Sequence, residues 1–395
     1  MFKELGRDNR LIMAALFIWA LGEGLWYNLR QLYLVELGAT PAQVGTVLAI
    51  ESIARALLPL PAGYAADRFG PHRVMVLSWM VGFIGPAGMA LATSWQLALP
   101  GIVIYSLSAF AIPAISTYAL LSLPNRDLPG IANRTLTAIY AAYPAGLIIS
   151  PALGGLIADS YGIRTNLWLG TALFAVSTLT VLMTRSVRPR VAAHELRPGD
   201  LLRNGAYLRL VLYYAATALI MQLGLALAPN FLRDVRGFSL STIGLLLSIF
   251  SLGTVVLNLL SGRASPRWNY PAILLLFWLS LLVMLGSTSW AGVAIAFFGL
   301  GGFFTTRALA TAGVARAVGE SNQGLAFGMF ESLFSVSLAI AAQAAGSLYD
   351  LTPSHDLPFV AGLAGLPLMI GLWFVVRSLQ MPARDSLEAS PTPGD

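Results

Sequence analysis

The chain contains no cysteine, a single lysine and only three histidines among 395 residues. Without cysteine there is no disulfide, no thiolate nucleophile and no thiolate metal site. His72, His194 and His355 all fall in predicted loops, so no imidazole cluster is expected at depth in the fold. With Lys3 the sole lysine, no Gly-Lys-Ser/Thr phosphate loop exists, and a nucleotide-driven engine of that type is excluded. Charge is scarce too: Asp, Glu, Lys and Arg make up 11% of the chain, against about a quarter in an ordinary soluble protein. Too little polar surface remains to cover one or two soluble domains.

Apolar residues are what the chain has in abundance, at 57% with a mean hydropathy of +0.73. Runs near 20 residues recur along its length, each able to cross a hydrocarbon core of about 30 Å. The expected fold is therefore an all-α integral membrane protein embedded in a lipid bilayer. With Gly, Pro and charge as punctuation, twelve spans are predicted near 11–35, 41–66, 73–92, 97–122, 131–157, 164–184, 207–232, 239–262, 271–288, 290–313, 324–348 and 357–377. The first begins after a basic stretch but has no small-residue cleavage site, so it is expected to be retained.

The basic residues set the orientation. If the N-terminus is cytoplasmic, 18 of the 24 Lys and Arg residues fall on inside loops, and only Arg164, Arg233 and Arg236 on outside loops. Both termini are thus expected in the cytoplasm, in a plasma (inner) membrane. The pI near 9.7 is explained by topology and calls for no nucleic-acid partner.

Residues 185–206 form the longest polar interruption and divide the chain into 1–184, a cytoplasmic linker, and 207–378; a polar tail, 379–395, is expected to be disordered. The two parts look duplicated. At an offset of 199, Gly38, Gly45, Gly63 and Arg68 match Gly237, Gly244, Gly262 and Arg267, and Glu23 falls opposite Gln222. At 191, Gly155 and Asp159 match Gly346 and Asp350. Twelve transmembrane helices in two pseudo-symmetric six-helix bundles are the expected architecture, with a site at the repeat interface near mid-membrane.

Between spans two and three the chain reads Gly63-x-x-x-Asp67-Arg68-x-Gly70-x-His72-Arg73, with a weaker copy from Gly262 to Arg267. Span five carries Ser150-Pro151-Ala-Leu-Gly154-Gly155. These segments resemble the signature loop and the antiporter-branch span-five motif of the major facilitator superfamily of secondary transporters, and the resemblance extends over about residues 5–380. It implies a conformational latch at Gly63, Asp67, Arg68, Gly70 and Arg73, with Pro151, Gly154 and Gly155 as the span-five motif. Two departures stand out. Pro71 and His72 precede Arg73 where two adjacent basic residues are usual, and span four lacks the arginine found in many proton-linked members.

Candidate binding groups are the few ions at membrane depth, which are costly there and tend to face the bundle interior. Glu23 lies about 18 Å along span one, with Tyr27 and Arg30 following on the same side. Glu51 is similarly deep, with Arg55 at i+4, a spacing that suits an intrahelical pair. Glu23 or Glu51 could be the protonatable carboxylate or contact a cationic substrate; equally, Glu51 and Arg55 could be a structural pair. Arg307 and Glu331, about 10 Å into span eleven, could pair with each other or hold substrate and proton separately, and Arg307 could instead snorkel. Gln222 and Asn258 are polar candidates, and Trp26, Phe303, Phe304 and Phe330 are candidates for an apolar lining.

The function expected is secondary active transport of a small molecule by alternating access, with proton-coupled efflux of lipophilic compounds favoured. Export or uptake of an organic anion or a sugar, and a sensor or lipid flippase on the same scaffold, stay open. An intramembrane enzyme would want His, Cys or a metal cluster, so no catalytic role, metal or cofactor is expected. Protons are the expected coupling partner, and a monomer the expected unit.

Overall fold

A computed structural model describes residues 5–58, 61, 62, 65, 68–123, 131–186, 203–262, 268–318 and 323–376. Gly63 and Asp67, His194 with most of the linker, the loop copy at 263–267 and the tail lie outside these residues.

The helices are α1 (Gly6–Trp26), α2 (Arg30–Glu36), α3 (Pro41–Ala56), α4 (Pro71–Leu91), α5 (Trp95–Ser106), α6 (Ala111–Leu121), α7 (Ile131–Tyr161) and α8 (Ile163–Leu182). The second part of the chain holds α9 (Gly205–Leu223), α10 (Ala228–Asp234), α11 (Leu240–Ser261), α12 (Asn269–Gly286), α13 (Trp290–Leu300), α14 (Gly302–Ala317), α15 (Gln323–Tyr349) and α16 (Leu357–Val376). Among the described residues eleven spans are long and apolar enough to cross a bilayer. The twelfth, α3, carries Glu51 and Arg55 and is described over 16 residues.

Four of the spans expected to be continuous are interrupted. Span one breaks at Tyr27–Leu29, span four passes through a 3-10 turn at Leu107–Phe110, span seven breaks between Leu223 and Ala228, and span ten at Gly301. In span seven Gly224 ends α9, and Pro229, which has no N–H to give, sits at the start of α10. Under the offset of 199, the breaks in spans one and seven fall at equivalent positions. His72 is also placed differently from its expected loop: it occupies the first turn of α4, bonded to the Thr184 carbonyl at 3.1 Å.

The two parts meet mainly along two pairs of helices, α3 with α15 and α7 with α11, with a lighter contact between α2 and α10. Each pair crosses at glycines. A Cβ on Gly45 would lie 3.0 Å from the Gly346 Cα, and one on Gly155 would lie 3.0 Å from the Gly244 Cα and overlap the Leu240 carbonyl oxygen. In a membrane, where lipid competes with side chains for apolar contact, such close backbone approach is a principal source of helix association. These four glycines are two of the pairs that the sequence repeat aligns, so each crossing is the image of the other.

Beside each crossing a carboxylate reaches the N-terminus of the opposite helix. Asp159 accepts from the backbone N–H of Leu240 at 2.9 Å and of Ser241 at 2.7 Å, and from the Ser241 hydroxyl. Asp350 accepts from the N–H of Ala42 at 3.3 Å. Ala42 and Ser241 are repeat equivalents, as are Asp159 and Asp350. Free N–H groups and the helix dipole favour an anion there, typically by about 0.3–1 kcal/mol and up to about 2 in partly buried geometry. Both clasps lie at the ends of the spans opposite the face where α1 begins and α16 ends.

Gly155→Leu should wedge the second crossing open, because the carbonyl it meets is backbone and has no rotamer to yield. The cysteine-free chain allows a direct test with Ser248→Cys, a buried position whose hydroxyl accepts from the Ala152 N–H. A membrane-impermeant maleimide should label Ser248→Cys several-fold faster when Gly155→Leu is also present. Equal labelling with and without Gly155→Leu would mean that the crossing does not close this face.

Candidate functional site

Beneath the crossings the two parts enclose a central cavity of 220 Å³. The interruptions in spans one and seven reach it with Tyr27 and Asn28 and with Leu225 and Ala226, and the first turn of α14, just after the break in span ten, adds Phe303 and Phe304. Broken helices supply such sites because irregular backbone is tolerated at membrane depth only where it lines a cavity.

One wall is an ionic cluster centred on Glu51, which is 3% exposed. Arg30 Nη1 donates to Glu51 Oε1 at 2.9 Å and its Nη2 lies 2.6 Å from Oε2, a two-pronged contact. Arg55 Nη2 lies 3.0 Å from the same Oε1, and the Tyr27 hydroxyl donates to it at 3.4 Å. The Arg30 guanidinium also stacks 3.9 Å above the Tyr27 ring. Arg30 thus departs from its expected place beside Glu23. The break at Tyr27–Leu29 turns it toward α3, where it joins the pair expected of Glu51 and Arg55. Two guanidinium groups now share one carboxylate.

The facing wall comes from spans ten and eleven. Arg307 donates to Glu331 through Nε at 3.3 Å and Nη2 at 2.5 Å, and lies 5.4 Å over Phe334. Arg307 lines the cavity and Glu331 stands behind it. Gln222, Ser52 and Ser335 add neutral polar groups, and Phe250, Phe297, Phe303, Phe304 and Phe334 make much of the remaining surface apolar.

Glu23 sits outside this lining. It is 7% exposed and accepts from the Tyr143 hydroxyl at 2.6 Å. The Tyr105 hydroxyl also interacts with it. Among the described residues no cation lies within 4.0 Å of Glu23. Tyr27, one turn further along, stands between this tyrosine-lined niche and Glu51. Tyr143 and Tyr105 escape a reading of the sequence because nothing in their spacing ties them to Glu23; only the folding of spans four and five against span one does so.

Of the aromatic candidates, Phe303 and Phe304 face the cavity. Trp26 is fully buried among Tyr105 and Phe174, and Phe330 packs on Tyr214 and Phe334. In the span-five motif Ser150 donates to the carbonyls of Ala20 and Gly146, and a Cβ on Gly154 would overlap the Leu25 carbonyl oxygen. The Pro151 carbonyl oxygen occupies the place where a Gly244 Cβ would be. The motif therefore presses span five against span one on one side and span eight on the other. Buried Asn166 reinforces the first contact by donating to Leu25 and Gly154. Of the signature loop, Gly70 has φ +88 and starts α4, and Arg68 lies 5.7 Å over Phe69. Arg73 lies in the first turn of α4.

The Major Facilitator Superfamily profile matches residues 11–240 and again 210–393. The chain belongs to that superfamily. It moves a small molecule across a membrane. Multidrug resistance protein 2 of Bacillus subtilis (strain 168) is 21% identical over 383 residues, covering 92% of each chain. Multidrug resistance protein MdtG of Proteus mirabilis (strain HI4320) is 24% identical over 176 residues, 42% of each. Among solved structures, the nucleoside transporter NupG superposes with a TM-score of 0.76 at 15% identity, over 96% of this chain and all of that one. A bacterial homologue of the human lysosomal transporter Spinster, inward-facing and occupied, gives 0.68 at 14% identity, over 94% of each. At these identities the structures establish a shared superfamily fold alone.

The two deep carboxylates should differ sharply on neutralisation. Glu51→Gln leaves Arg30 buried without its counter-ion, and breaking a buried pair typically costs about 3–5 kcal/mol. Glu23→Gln keeps an acceptor for Tyr143 and should cost about 1 kcal/mol. Thermal unfolding in detergent should therefore place Glu51→Gln well below Glu23→Gln; equal melting temperatures would show that Glu51 is not the centre of the cluster.

Proposed function

We propose that this superfamily member exports lipophilic small molecules in exchange for protons, by rocking residues 1–184 against 207–378 about the central cavity. The observation that carries the reading is a cavity at the meeting of the two parts that combines five phenylalanines with a few deep charges. The names of the relatives from Bacillus subtilis and Proteus mirabilis support export. The positive-inside bias supports a plasma membrane location with both termini cytoplasmic, which puts the clasped face outside. Opening that face requires the two glycine crossings to part. The signature loop, with Arg68, Gly70 and Arg73 in its described portion, is the inner counterpart that would then hold the parts together.

Within this reading Glu23 is the proton site. Its partners are tyrosine hydroxyls, and a hydroxyl can donate to a carboxylate or accept from a carboxylic acid, so either protonation state is satisfied locally. Glu51 serves instead as the fixed counter-ion of Arg30 and Arg55.

Purified protein in liposomes tests both assignments. An imposed pH gradient should drive uphill flux of a lipophilic substrate in the native protein. Glu23→Gln should lower that flux at least tenfold while substrate counterflow without a gradient persists. Gradient-driven transport that survived in both Glu23→Gln and Glu51→Gln would remove the carboxylates from coupling.

A further inference from the structure

The charges around the cavity do not cancel, and the excess is positive. Arg30, Arg55 and Arg307 all line it, and among the described residues Glu51 is the single lining carboxylate. Even with Glu331 assigned wholly to Arg307, Arg30 and Arg55 share one carboxylate. Glu23 also acts electrostatically on Arg55, but it lies outside the lining and is engaged by Tyr143.

The donors are not equally committed. Arg30 spends both terminal nitrogens on Glu51 and is 9% exposed. Arg55 gives Glu51 one contact, is 36% exposed, and its buried Nε has no hydrogen-bond partner. Arg307 is 40% exposed, with Nε and Nη2 turned to Glu331. Its other terminal nitrogen is left to the cavity. Guanidinium donors held in a low-dielectric site favour a carboxylate, which can take two parallel N–H bonds. Five phenylalanines share the lining and suit an apolar body, with Phe334 beneath the Arg307 guanidinium. A cation would meet the surplus charge head-on.

We propose that the transported compounds are small organic acids, each an apolar body bearing one carboxylate, held between Arg55 and Arg307 with the body against Phe250, Phe303 and Phe304. The proposal rests on the central cavity being the transport site and names the class of molecule that it takes. A volume of 220 Å³ is below the range of about 300–1,000 Å³ common for drug-sized ligands, so one ring with a short acid chain fits this conformation. Arg55 is the specificity-determining residue, because Arg307 already has a carboxylate of its own.

Three probes of nearly one shape separate the possibilities: 3-phenylpropionate, its neutral amide, and 3-phenylpropylammonium. Binding to the purified full chain, by calorimetry and ligand-induced thermal shift, should be at least tenfold tighter for the acid than for the amide, with the ammonium ion weakest. Arg55→Gln should bring the acid down to the level of the amide, and Arg55→Lys should recover part of the difference. The amide or ammonium ion binding as tightly as the acid, or none of the three binding to protein that still melts cooperatively, overturns the proposal. Flux of the amide or ammonium ion into liposomes in preference to the acid would sink the acid proposal and leave the transporter reading standing. Binding of the acid without flux of any probe would sink the transporter reading.

Discussion

Two contacts between backbone and backbone determine the shape of this molecule. Gly45 against Gly346, and Gly155 against Gly244, let four helices cross with no side chain between them. In a bilayer the hydrophobic effect gives helices little reason to prefer each other over lipid, so such close approach matters more than apolar content. The carboxylates of Asp159 and Asp350, each bonded to the N-terminus of the facing helix, add direction to the same contacts. A helix end has free N–H groups in one place only, so the clasps fix how far each pair can slide. The cavity beneath, and which residues face it, follow from that register.

A crossing made of glycine and hydrogen bonds has a further physical property. Its nearest atoms are backbone, so no side-chain rotamer at the point of contact can relieve an added group. The N-termini of α3 and α11 carry N–H groups that water could satisfy in place of a carboxylate.

How much of this is legible in the sequence differs between the scaffold and the site. Spans, duplication and the aligned glycines can be read because each leaves a local mark: apolar length, a repeated spacing, a residue without a side chain. The breaks in spans one and ten are less visible, since Tyr27-Asn28-Leu29 carries no Pro or Gly and Gly301 sits in a run of glycines with several possible ends. The ionic cluster is half visible. Glu51 and Arg55 are one turn apart on one helix, so their pairing is local. Arg30 reaches Glu51 only because span one breaks just before it, and helical periodicity alone sets it beside Glu23. Tyr143 lies 120 positions from Glu23 in the chain, a distance at which pairing is a tertiary fact.

The separation of Glu23 from Glu51 gives the two deep carboxylates different surroundings. Glu51 is held by two guanidinium groups and a hydroxyl, so its oxygens are committed and its removal leaves the buried Arg30 unmatched. Glu23 is engaged by the Tyr143 hydroxyl, a group that can either donate or accept a hydrogen bond. Tyr27 touches both neighbourhoods: its hydroxyl donates to Glu51, its ring carries Arg30, and its backbone N–H bonds to the Glu23 carbonyl at the point where the helix gives way. A change at Glu23 therefore has a short physical route to the charged wall of the cavity, through one residue at a natural hinge. Truncating Tyr27 would disturb charge packing and hinge together, whereas removing its hydroxyl alone would separate them.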